Sequence, residues 1–348
     1  MKKKVLFCVP PNCGGAERVT LTIAKLLDKE QYDVTIVIVG KTKGEIIEFV
    51  PDYFDVVHVK IRNIWDFTTF RLVRLFRKLC PNIVFCSLMY LNIRVILAAH
   101  IVGGIKTIVR NNIGFDMMRF DKAFLIKKIY PYADIIILQT DEMKKEMKKN
   151  VKICDEKLRV IFNPIDVDLI AEKLKNISSP FNSEYTNYVF VGRIDYSKGL
   201  DILIKAFARV VDLNRNSRLY LIGKIISTNK YYCSLVKLIT DLNLDSYIEW
   251  VGFTTNPYQY VKYANCLVLP SRVEGLPNVI LDAMYLRTPV VVTRSVPVID
   301  RLVSSSRGII VDVEDIDSLV HAMYKVIQIE ITEDYKQASV AELRSLFN

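Results

Sequence analysis

The chain carries VGRIDYSKGLDILIKAF at residues 191–207 and SRVEGLPNVILDAMYLRTPVVVT at residues 271–293. In each stretch a strand-like apolar run ends, a short polar loop follows, and apolar residues then recur at helical spacing. Strands that alternate with helices in this way are typical of parallel sheets covered on both faces. The two stretches therefore predict an α/β fold.

The same alternation extends over the whole chain. The first half contains seven strand-like runs, at 4–9, 33–40, 56–60, 82–88, 106–110, 134–139 and 159–162. The second half contains six more, at 188–193, 218–223, 248–252, 266–270, 290–293 and 308–311. We therefore expect two Rossmann-like, doubly wound parallel-sheet domains that face each other. Because such sheets bind ligands beyond the carboxyl ends of their strands, we expect the chemistry in the cleft between the domains.

The boundary between the domains follows from composition. Residues 176–187 are rich in Asn, Ser and Pro, as linkers are, and Asn163-Pro164 precedes them. We assign residues 1–163 to an N-terminal domain and 164–187 to a linker. Residues 188–330 then form a C-terminal domain, and 331–348 a helical tail that packs back on the first domain.

The loops of the two opening stretches carry charges suited to one kind of ligand. Arg193 and Lys198 are cations that could neutralise a departing diphosphate. Glu274 lies just before a helix that we expect to open at Pro277, and Asp282 follows on that helix. Two cations, a helix N-terminus and an acid suit a diphosphate bearing a hydroxylated group, such as a nucleotide sugar. The alternative is two solvated cations and acids that complement a helix dipole.

Charge is unevenly distributed along the 348 residues. Residues 1–150 hold 25 Lys/Arg and 15 Asp/Glu, which accounts for the whole net charge of +10. Basic amphipathic stretches occur at 67–78 and 117–132. Such an excess indicates an anionic partner. That partner is a membrane surface or nucleic acid, and the two basic stretches suit an anionic bilayer. The alternative is ordinary domain helices with solvated basic faces.

The remaining composition argues against metal-binding, disulfide-rich and membrane-spanning classes of protein. The seven cysteines are scattered without a CxxC pair, and the three histidines are isolated, so we expect no metal, no disulfide framework and no bound cofactor. We find neither a signal-peptide core nor an uninterrupted apolar span long enough for a membrane, and we expect residues 88–104 to form a buried or half-buried helix. Asp166 and Asp168 could imitate a metal-binding pair, but an N-cap and first-turn role fits them better.

Residues 14–18, GGAER, follow the first strand and open the first helix. Paired glycines let the backbone approach a ligand closely, and a helix N-terminus favours anions. A dinucleotide fingerprint would need a third glycine where Arg18 stands, so a nicotinamide or flavin site is poorly supported. A tight strand–helix turn without a ligand is the alternative.

At these motifs the chain resembles the retaining glycosyltransferases of family 4, which have the GT-B fold. Residues 14–18 resemble that family's N-terminal glycine loop, and residues 163–166 resemble its inter-domain signature. Residues 191–199 are similar to its phosphate clamp, and residues 270–277 to its donor-sugar loop. The resemblance covers nearly the whole chain, and the order of the motifs makes it specific.

The resemblance implies that residues 1–163 bind the acceptor and that residues 188–330 bind the nucleotide sugar. It also implies a role for each matching residue. It makes Glu274, Arg193 and Lys198 catalytic, with Glu274 on the donor-sugar hydroxyls and the two cations on the leaving nucleoside diphosphate. It implies donor contacts for Gly15, Gly192, Gly252, Phe253, Gly275, Leu276, Pro277, Asn278, Val279 and Asp282, and acceptor contacts for Gly14, Glu17, Asn111 and Asn112. Asp282 stands where the family usually has a ribose-binding Glu, one methylene longer. Gly223 lacks the glycine-proline loop that often follows it in the family.

The function that this implies is a metal-independent, retaining hexosyltransferase. It would move a sugar from a nucleotide donor, by expectation a UDP-sugar, to a hydroxyl of a lipid-linked oligosaccharide in capsule or O-antigen synthesis. The basic first domain would face the anionic inner-membrane surface, with a cytoplasmic, peripheral location and no nucleic-acid partner. Two alternatives stay open at this point. One is a nucleotide-sugar epimerase of the same fold, and the other is a non-catalytic membrane-binding module.

Overall fold

The computed structural model describes residues 2–12, 14–61, 68–112, 114–115, 120–331, 334–335 and 339–348. They form two compact units, one of Met1–Ile165 with Gln337–Asn348 and the other of Asp166–Lys336. Cys13, Phe67 and the segment 117–119 of the second basic stretch lie outside the described residues.

The first unit is built on a seven-stranded sheet with the order β3-β2-β1-β4-β5-β6-β7. Its strands are β1 (Lys3–Val9), β2 (Tyr32–Gly40), β3 (Asp55–Lys60), β4 (Ile83–Cys86), β5 (Lys106–Asn111), β6 (Ile135–Leu138) and β7 (Leu158–Val160). All neighbouring strands in this sheet run parallel. Parallel neighbours need crossover connections, which explains why helices separate most of these strands in the sequence.

Helices of the first unit cover both faces of this sheet. They are α1 (Gly15–Lys25), α2 (Thr68–Leu79), α3 (Met89–Val102), α4 (Phe120–Ile129), α5 (Asp141–Asn150) and, at the end of the chain, α13 (Ser339–Ser345). Successive strand residues point to opposite faces, so Phe7 and Phe85 belong to one core and Leu6 and Val84 to another. Both faces are therefore buried, as the continuous apolar strands predict.

The end of the chain belongs to the first unit. Phe347, just after α13, is fully buried, with its ring centroid 5.8 Å from that of Phe7 and 6.1 Å from that of Phe85. Arg344 donates to the carbonyl of Leu26 at the end of α1. Residues 339–348 thus close the core beneath β1 and β4.

The second unit contains a six-stranded sheet with the order β10-β9-β8-β11-β12-β13. Its strands are β8 (Thr186–Val191), β9 (Ser217–Ile222), β10 (Ile248–Gly252), β11 (Cys266–Leu269), β12 (Val290–Thr293) and β13 (Gly308–Val311), all parallel to their neighbours. Its helices are α6 (Val167–Lys173), α7 (Leu200–Leu213), α8 (Lys230–Asp241), α9 (Tyr258–Tyr263), α10 (Asn278–Tyr285), α11 (Ile299–Leu302) and α12 (Ile316–Val326).

The core of the second unit follows from helical periodicity. Leu203, Phe207 and Val210 lie three or four positions apart on α7 and are fully buried in one cluster with Phe190 of β8. At the start of α12, the Asp315 side chain accepts a hydrogen bond from the amide of Ser318 at 2.9 Å. An apolar face and a polar N-cap thus define these helices.

The predicted fold class is confirmed. All thirteen expected strands form among the described residues, and their ends differ from the prediction by at most two positions. The expected buried helix at 88–104 is α3, and Asp166 caps α6 by accepting from the amide of Leu169, as predicted. Residues 164–187, which we assigned to a linker, contain α6 and the first residues of β8, and from Asp166 onward they group with the second unit.

Each sheet has one point at which its strand order reverses. In the first sheet it lies between β1 and β4, and in the second between β8 and β11. Ligands of open α/β sheets bind outside the carboxyl ends of the strands at such a point. The loops after β1, β4, β8 and β11 are therefore where each unit is expected to bind. Among the helices of the described ranges, none has the length and apolarity needed to cross a bilayer.

Candidate active site

The loop after β8 is held against the end of β11 by a glycine. A 3₁₀ turn at Tyr196–Lys198 is capped by Asp195, whose carboxylate accepts from the amide of Ser197 at 3.0 Å. Gly199 follows with φ 67° and ψ 28°, a left-handed conformation, and becomes the N-cap of α7. A Cβ on Gly199 would lie 2.1 Å from the carbonyl oxygen of Pro270, so only glycine allows this approach.

This close approach brings together the two residues that the sequence made central. Nζ of Lys198 lies 2.6 Å from Oε1 of Glu274, and the two side chains are only 15% and 7% exposed. Ser271, itself buried, donates its hydroxyl to the same Oε1 at 2.7 Å. Neither bond uses Oε2 of Glu274. The sequence predicted a cation and an acid on one ligand, and the structure places them in direct contact at the β8/β11 reversal.

The Glu274 loop is anchored by β12 and leads into α10. Thr293, the last residue of β12, donates its hydroxyl to the carbonyl of Ser271 at 2.5 Å. We expected the helix to open at Pro277, but it begins at Asn278. Pro277 is instead the N-cap, with an extended ψ of 103°, and its carbonyl accepts from the amide of Ile280. The first amides of a helix lack partners within it, so the amide of Val279 is directed beyond the helix start.

Arg193 lies apart from this pair. Its side chain is 81% exposed, and its Nε lies 3.4 Å from a carboxylate oxygen of Asp195. The two predicted clamp cations are thus in different states, since Lys198 is enclosed and paired whereas Arg193 extends into solvent. An exposed ion pair of this kind contributes little to stability. Arg193 is therefore free to reorient toward an anion at small energetic cost.

Arg272 was missed by the sequence analysis, and it has the densest set of contacts in this region. Nη1 and Nη2 each donate to one carboxylate oxygen of Asp201 at 2.8 Å, and Nε donates to Glu314 at 2.8 Å. The guanidinium also stacks 3.8 Å above the ring of Tyr196. The only signal in the sequence was an Arg beside Glu274, which has no distinctive spacing to its partners.

The charges of this network stabilise one another. The Asp201 carboxylate raises the pKa of Arg272. Burial acts to raise the pKa of Asp201, but hydrogen bonds from Arg272 and Tyr231 outweigh burial, and the pKa is lowered. Burial, together with the nearby Asp201, raises the pKa of Tyr231, whose hydroxyl donates to Asp201 at 2.6 Å. All three groups therefore keep their usual protonation states at neutral pH.

Glycines mark the carboxyl ends of three adjacent strands. Gly192 follows β8, Gly223 follows β9, and Gly252 ends β10. A Cβ on Gly223 would lie 2.0 Å from the carbonyl oxygen of Gly192, so these two backbones touch. Phe253, next to Gly252, is 62% exposed. This edge of the sheet presents glycine backbone and the exposed ring of Phe253 beside the loop that carries Lys198.

The other predicted donor contacts are divided between surface and interior. Gly275 is exposed, whereas Asn278, Val279 and Asp282 are half-buried in the first turns of α10. Leu276 and Pro277 are buried, so their side chains pack the loop and only their backbone could meet a ligand. The predicted donor residues of the second unit therefore lie at the carboxyl edge of the sheet, on loops, on strand ends and in the first turns of α10.

In the first unit, the glycine loop after β1 is organised by Glu17. The carboxylate of Glu17 accepts from the amide of Gly14 at 3.2 Å, which satisfies a donor at the start of α1. Burial raises the pKa of Glu17, although backbone hydrogen bonds oppose this shift. Ser87, just after β4, donates to the carbonyl of Ala16 in the same turn. Glu17 and Gly15 thus lie at the β1/β4 reversal.

The segment after β5 forms a buried polar layer. Arg110 is only 2% exposed, and burial lowers its pKa to about 9, so it is charged at neutral pH. Its guanidinium donates to the amide oxygens of Asn112 and Asn163. Asn111 is buried and its amide oxygen accepts from Tyr130, whereas Asn112 is half-buried and donates to the carbonyl of Ser87. Of the two predicted acceptor asparagines, Asn112 is the more accessible.

Two of the three histidines have contacts within the first unit. His58 contacts the carbonyl of Gly40, and the ring of His100 lies 4.4 Å from that of Tyr132. No group of three or more His, Cys, Asp or Glu that could hold a metal occurs among the described residues. At the β8/β11 reversal the described residues place a lysine, a carboxylate, an arginine and the first amides of α10.

Two family descriptions match the chain, and together they extend from residue 13 to residue 341. Residues 13–169 match "Glycosyltransferase Family 4", and residues 170–341 match "Glycosyl transferases group 1". The division between the matches falls within four residues of the boundary between the structural units, at Ile165.

Individual proteins are similar over different lengths. An uncharacterized glycosyltransferase of Methanocaldococcus jannaschii, MJ1059, is 35% identical over 175 residues, which are 48% of this chain and 41% of that protein. The N-acetylgalactosamine-N,N'-diacetylbacillosaminyl-diphospho-undecaprenol 4-alpha-N-acetylgalactosaminyltransferase of Campylobacter jejuni is 27% identical over 307 residues, 84% of this chain and 81% of that protein. The crystal structure of Anabaena Alr3699/HepE in complex with UDP and glucose superimposes with a TM-score of 0.82 over 99% of this chain and 98% of that chain, at 15% identity. That structural similarity shows the shared fold.

Proposed function

The chain belongs to the GT-B glycosyltransferases, and from that premise we propose that it transfers a sugar, with retention of configuration, from a UDP-sugar to a lipid-linked glycan. The observation that carries the proposal is the enclosed contact between Lys198 and Glu274 at the β8/β11 reversal. Both family matches are to transferases, which favours this activity over the epimerase and the binding module.

The geometry supports different protein groups for the two parts of the donor, the sugar and the diphosphate. Oε1 of Glu274 is occupied by Lys198 and Ser271, and Oε2 remains to accept a hydrogen bond from a sugar hydroxyl. The ammonium of Lys198, on the loop after β8, and the first amides of α10, which follow the loop after β11, suit the diphosphate. Arg193, extended into solvent, can swing onto the same anion.

These groups act on the bond that breaks. The bond between the anomeric carbon and the diphosphate oxygen is cleaved, and its electron pair leaves with the nucleoside diphosphate. The acceptor hydroxyl oxygen bonds to that carbon on the same face, and its proton passes to the departing phosphate oxygen. Lys198, Arg193 and the helix amides stabilise the negative charge that grows on the diphosphate, which is the largest contribution such a site can make.

We propose that the reaction needs no metal ion, because protein cations are available to neutralise the diphosphate. Lys198 is held at the site by Glu274, and Arg193 is within the same loop. Transfer should then continue unchanged in EDTA. A loss of activity in EDTA that Mg²⁺ or Mn²⁺ restores would contradict this part of the proposal.

The donor proposal is tested with UDP-glucose, UDP-galactose and their N-acetylated forms, using a short polyprenyl-diphosphate sugar as acceptor. Glu274→Gln and Lys198→Met should each lower kcat on the order of 100-fold, because each removes charge that acts in the transition state. Glu249→Gln, which changes an exposed carboxylate on β10, is the matched control and should leave kcat unchanged.

Two results decide whether the proposed transfer from a UDP-sugar is correct. Transfer by the wild type, with the product anomer the same as in the donor by NMR, supports the proposal. Failure of every UDP-sugar to bind the wild type, or full activity in Glu274→Gln, contradicts it.

The acceptor side of the proposal rests on the surface of the first unit. Helix α4 exposes Phe124 and Leu125 to solvent beside exposed Lys127 and Lys128, while Ile126 is buried. Apolar side chains flanked by lysines suit the interface of an anionic bilayer. A lipid-linked acceptor, such as the one in the name of the Campylobacter protein, would be met at that surface.

Helix α2 adds to this basic surface. Arg74, Arg77 and Lys78 are exposed, and Phe70 is 64% exposed, whereas Leu72 and Phe76 are buried in the core. The helix therefore keeps one face in the unit and presents a basic face to its surroundings. This arrangement supports a peripheral location on the inner face of the cytoplasmic membrane.

Vesicle flotation tests this surface. The wild type should float with vesicles of phosphatidylcholine and phosphatidylglycerol, and the double change Phe124→Ser with Leu125→Ser should weaken flotation. Leu213→Ser, on an exposed apolar residue of α7, is the control and should have no effect. Equal flotation of all three proteins, or none with any vesicle, would contradict a role for α4.

A further inference from the structure

We infer that Arg272 is a positioning residue that sets the distance between Lys198 and Glu274 by tying together the two loops that carry them. This inference rests on the proposed function of that pair. Arg272 is one residue after Ser271 and two before Glu274, so any movement of its backbone moves the carboxylate. Its contacts to the loop after β8, which carries Lys198, are the basis for assigning it a positioning role.

Arg272 is joined to the Lys198 turn through both its backbone and its side chain. Its amide donates to the carbonyl of Ser197 at 2.8 Å, and Nη1 donates to the carbonyl of Tyr196 at 2.9 Å. Tyr196 and Ser197 are the two residues that precede Lys198 in the 3₁₀ turn. The guanidinium also covers the ring of Tyr196, so it contacts the turn through two kinds of interaction.

The far side of the guanidinium is fixed to α7 and to the segment between β13 and α12. Its fork binds both oxygens of Asp201 in the first turn of α7, and Tyr231 of α8 donates to the same carboxylate. Nε is bound to Glu314. Arg272 is thus a rigid spacer between the loop after β11 and the start of α7, since planar fork-to-fork pairs fix orientation as well as distance.

The same contacts exclude the simpler role of a ligand-binding cation. Nε and both terminal nitrogens already donate to protein oxygens, and the side chain is only 12% exposed. By contrast, Lys198 makes one carboxylate contact through a nitrogen that can form further hydrogen bonds. Arg272 therefore acts through the pair, and Lys198 and Glu274 meet the substrate.

Loss of Arg272 should lower the rate of turnover rather than the affinity for substrate. Without the spacer, the turn and the Glu274 loop lose their common anchor, and the ammonium no longer lies at a fixed place relative to the carboxylate. Misplacement of a catalytic group by about 1 Å can cost about 100-fold in rate. Substrate binding, which uses many other contacts, should change much less. Lysine cannot replace Arg272, because a single ammonium cannot make the fork.

The test is a double-mutant cycle between Arg272→Ala and Lys198→Met, measured as UDP release from whichever of the four UDP-sugars above the wild type uses fastest. Arg272→Ala alone should lower kcat on the order of 100-fold with KM changed by less than about threefold. In the Lys198→Met background the same change should lower kcat by less than about threefold, because the group it positions is already gone. Arg272→Lys should resemble Arg272→Ala.

Controls separate this inference from folding and from the proposed function. Arg209→Ala removes an exposed ion pair with Asp317 between α7 and α12 of the same unit and should leave kcat unchanged. If Arg272→Ala fails to fold, Asp201→Asn and Arg272→Lys provide the same cycle with smaller changes. Crystal structures of the folded variants give a readout that needs no activity, and the distance from Nζ of Lys198 to Oε1 of Glu274 should exceed 4 Å.

Two outcomes would overturn the inference. One is an equal loss of kcat from Arg272→Ala in the wild-type and Lys198→Met backgrounds, which would show independent action. The other is a Lys198–Glu274 distance that stays at 2.6 Å in the variants. If the wild type itself releases no UDP from any donor, the proposed function fails, and the distance alone then decides whether Arg272 positions the pair.

Discussion

At the scale of single residues, the positions without side chains determine where the charged ones lie. Gly199 allows the loop after β8 to touch Pro270, and that contact brings Lys198 to Glu274. The sequence showed a glycine after Lys198 but not the carbonyl against which it packs. The contact joins residues that are 71 positions apart, and a single sequence carries no trace of such a distant partner.

Replacing Gly199 should therefore affect both stability and activity. A left-handed alanine costs about 1 to 2 kcal/mol by itself, and the clash of its Cβ with Pro270 adds to that. Gly104→Ala is the matched control, because Gly104 also has a positive φ of 70° but has open space around its Cβ position. We predict by urea unfolding that Gly199→Ala loses more stability than Gly104→Ala, and that it alone loses transfer activity. Equal losses in both variants would contradict the packing argument.

Glu17 should make stability depend on pH in a defined direction. Burial raises the pKa of Glu17 above its usual 4.5, so the folded protein holds this proton more readily than the unfolded chain does. The stability contributed by the protonated form is complete below pH 4.5 and is lost as pH rises through the raised pKa. At neutral pH the charged carboxylate is therefore a cost that a neutral amide of the same shape avoids.

We predict that Glu17→Gln has a higher Tm than the wild type at pH 7 and that the difference shrinks toward pH 4. The measurement is thermal unfolding of both proteins across that range. Glu30→Gln, an exposed carboxylate just before β2, is the control and should show no such trend. A glutamine variant that is less stable at pH 7 would show that the bond to Gly14 needs the full charge.

At the scale of elements, the functional groups lie at the starts of helices, and the ends of the preceding strands determine where those helices begin. Helix α10 begins one residue later than predicted because the proline keeps an extended ψ and acts as the cap. Propensity favours proline at either of these neighbouring positions, so the sequence alone could not choose between them. The consequence is that Asn278 supplies the first amide of the helix.

Proline at position 278 tests that amide directly. Pro277 is already extended, as a residue before proline must be, and proline suits the first position of a helix. Asn278→Pro should fold normally and bind UDP about tenfold more weakly than Asn278→Ala, because only the first removes the backbone donor to a charged group. Titration calorimetry with UDP compares the two. Equal affinities would show that this amide does not meet the ligand.

At the scale of the whole molecule, the strand pattern was predictable and the side-chain networks were not. Short apolar runs rich in Ile and Val, such as 135–138 and 290–293, are typical of strands buried on both faces, and their alternation with helical segments predicted both sheets. The Arg272 network and the buried layer around Arg110 depend on partners from four or more elements. Local patterns do not encode such contacts, which is why sequence analysis found Lys198 and Glu274 but not the residue that joins their loops.

The most direct test of the central claim is a crystal structure of the protein with UDP. We predict that the diphosphate lies at the start of α10, with a phosphate oxygen about 3 Å from Nζ of Lys198 and another within reach of the amide of Val279. The uracil should lie toward Gly252 and Phe253. Binding of UDP elsewhere, with Lys198 and Glu274 remote from the phosphates, would contradict the account.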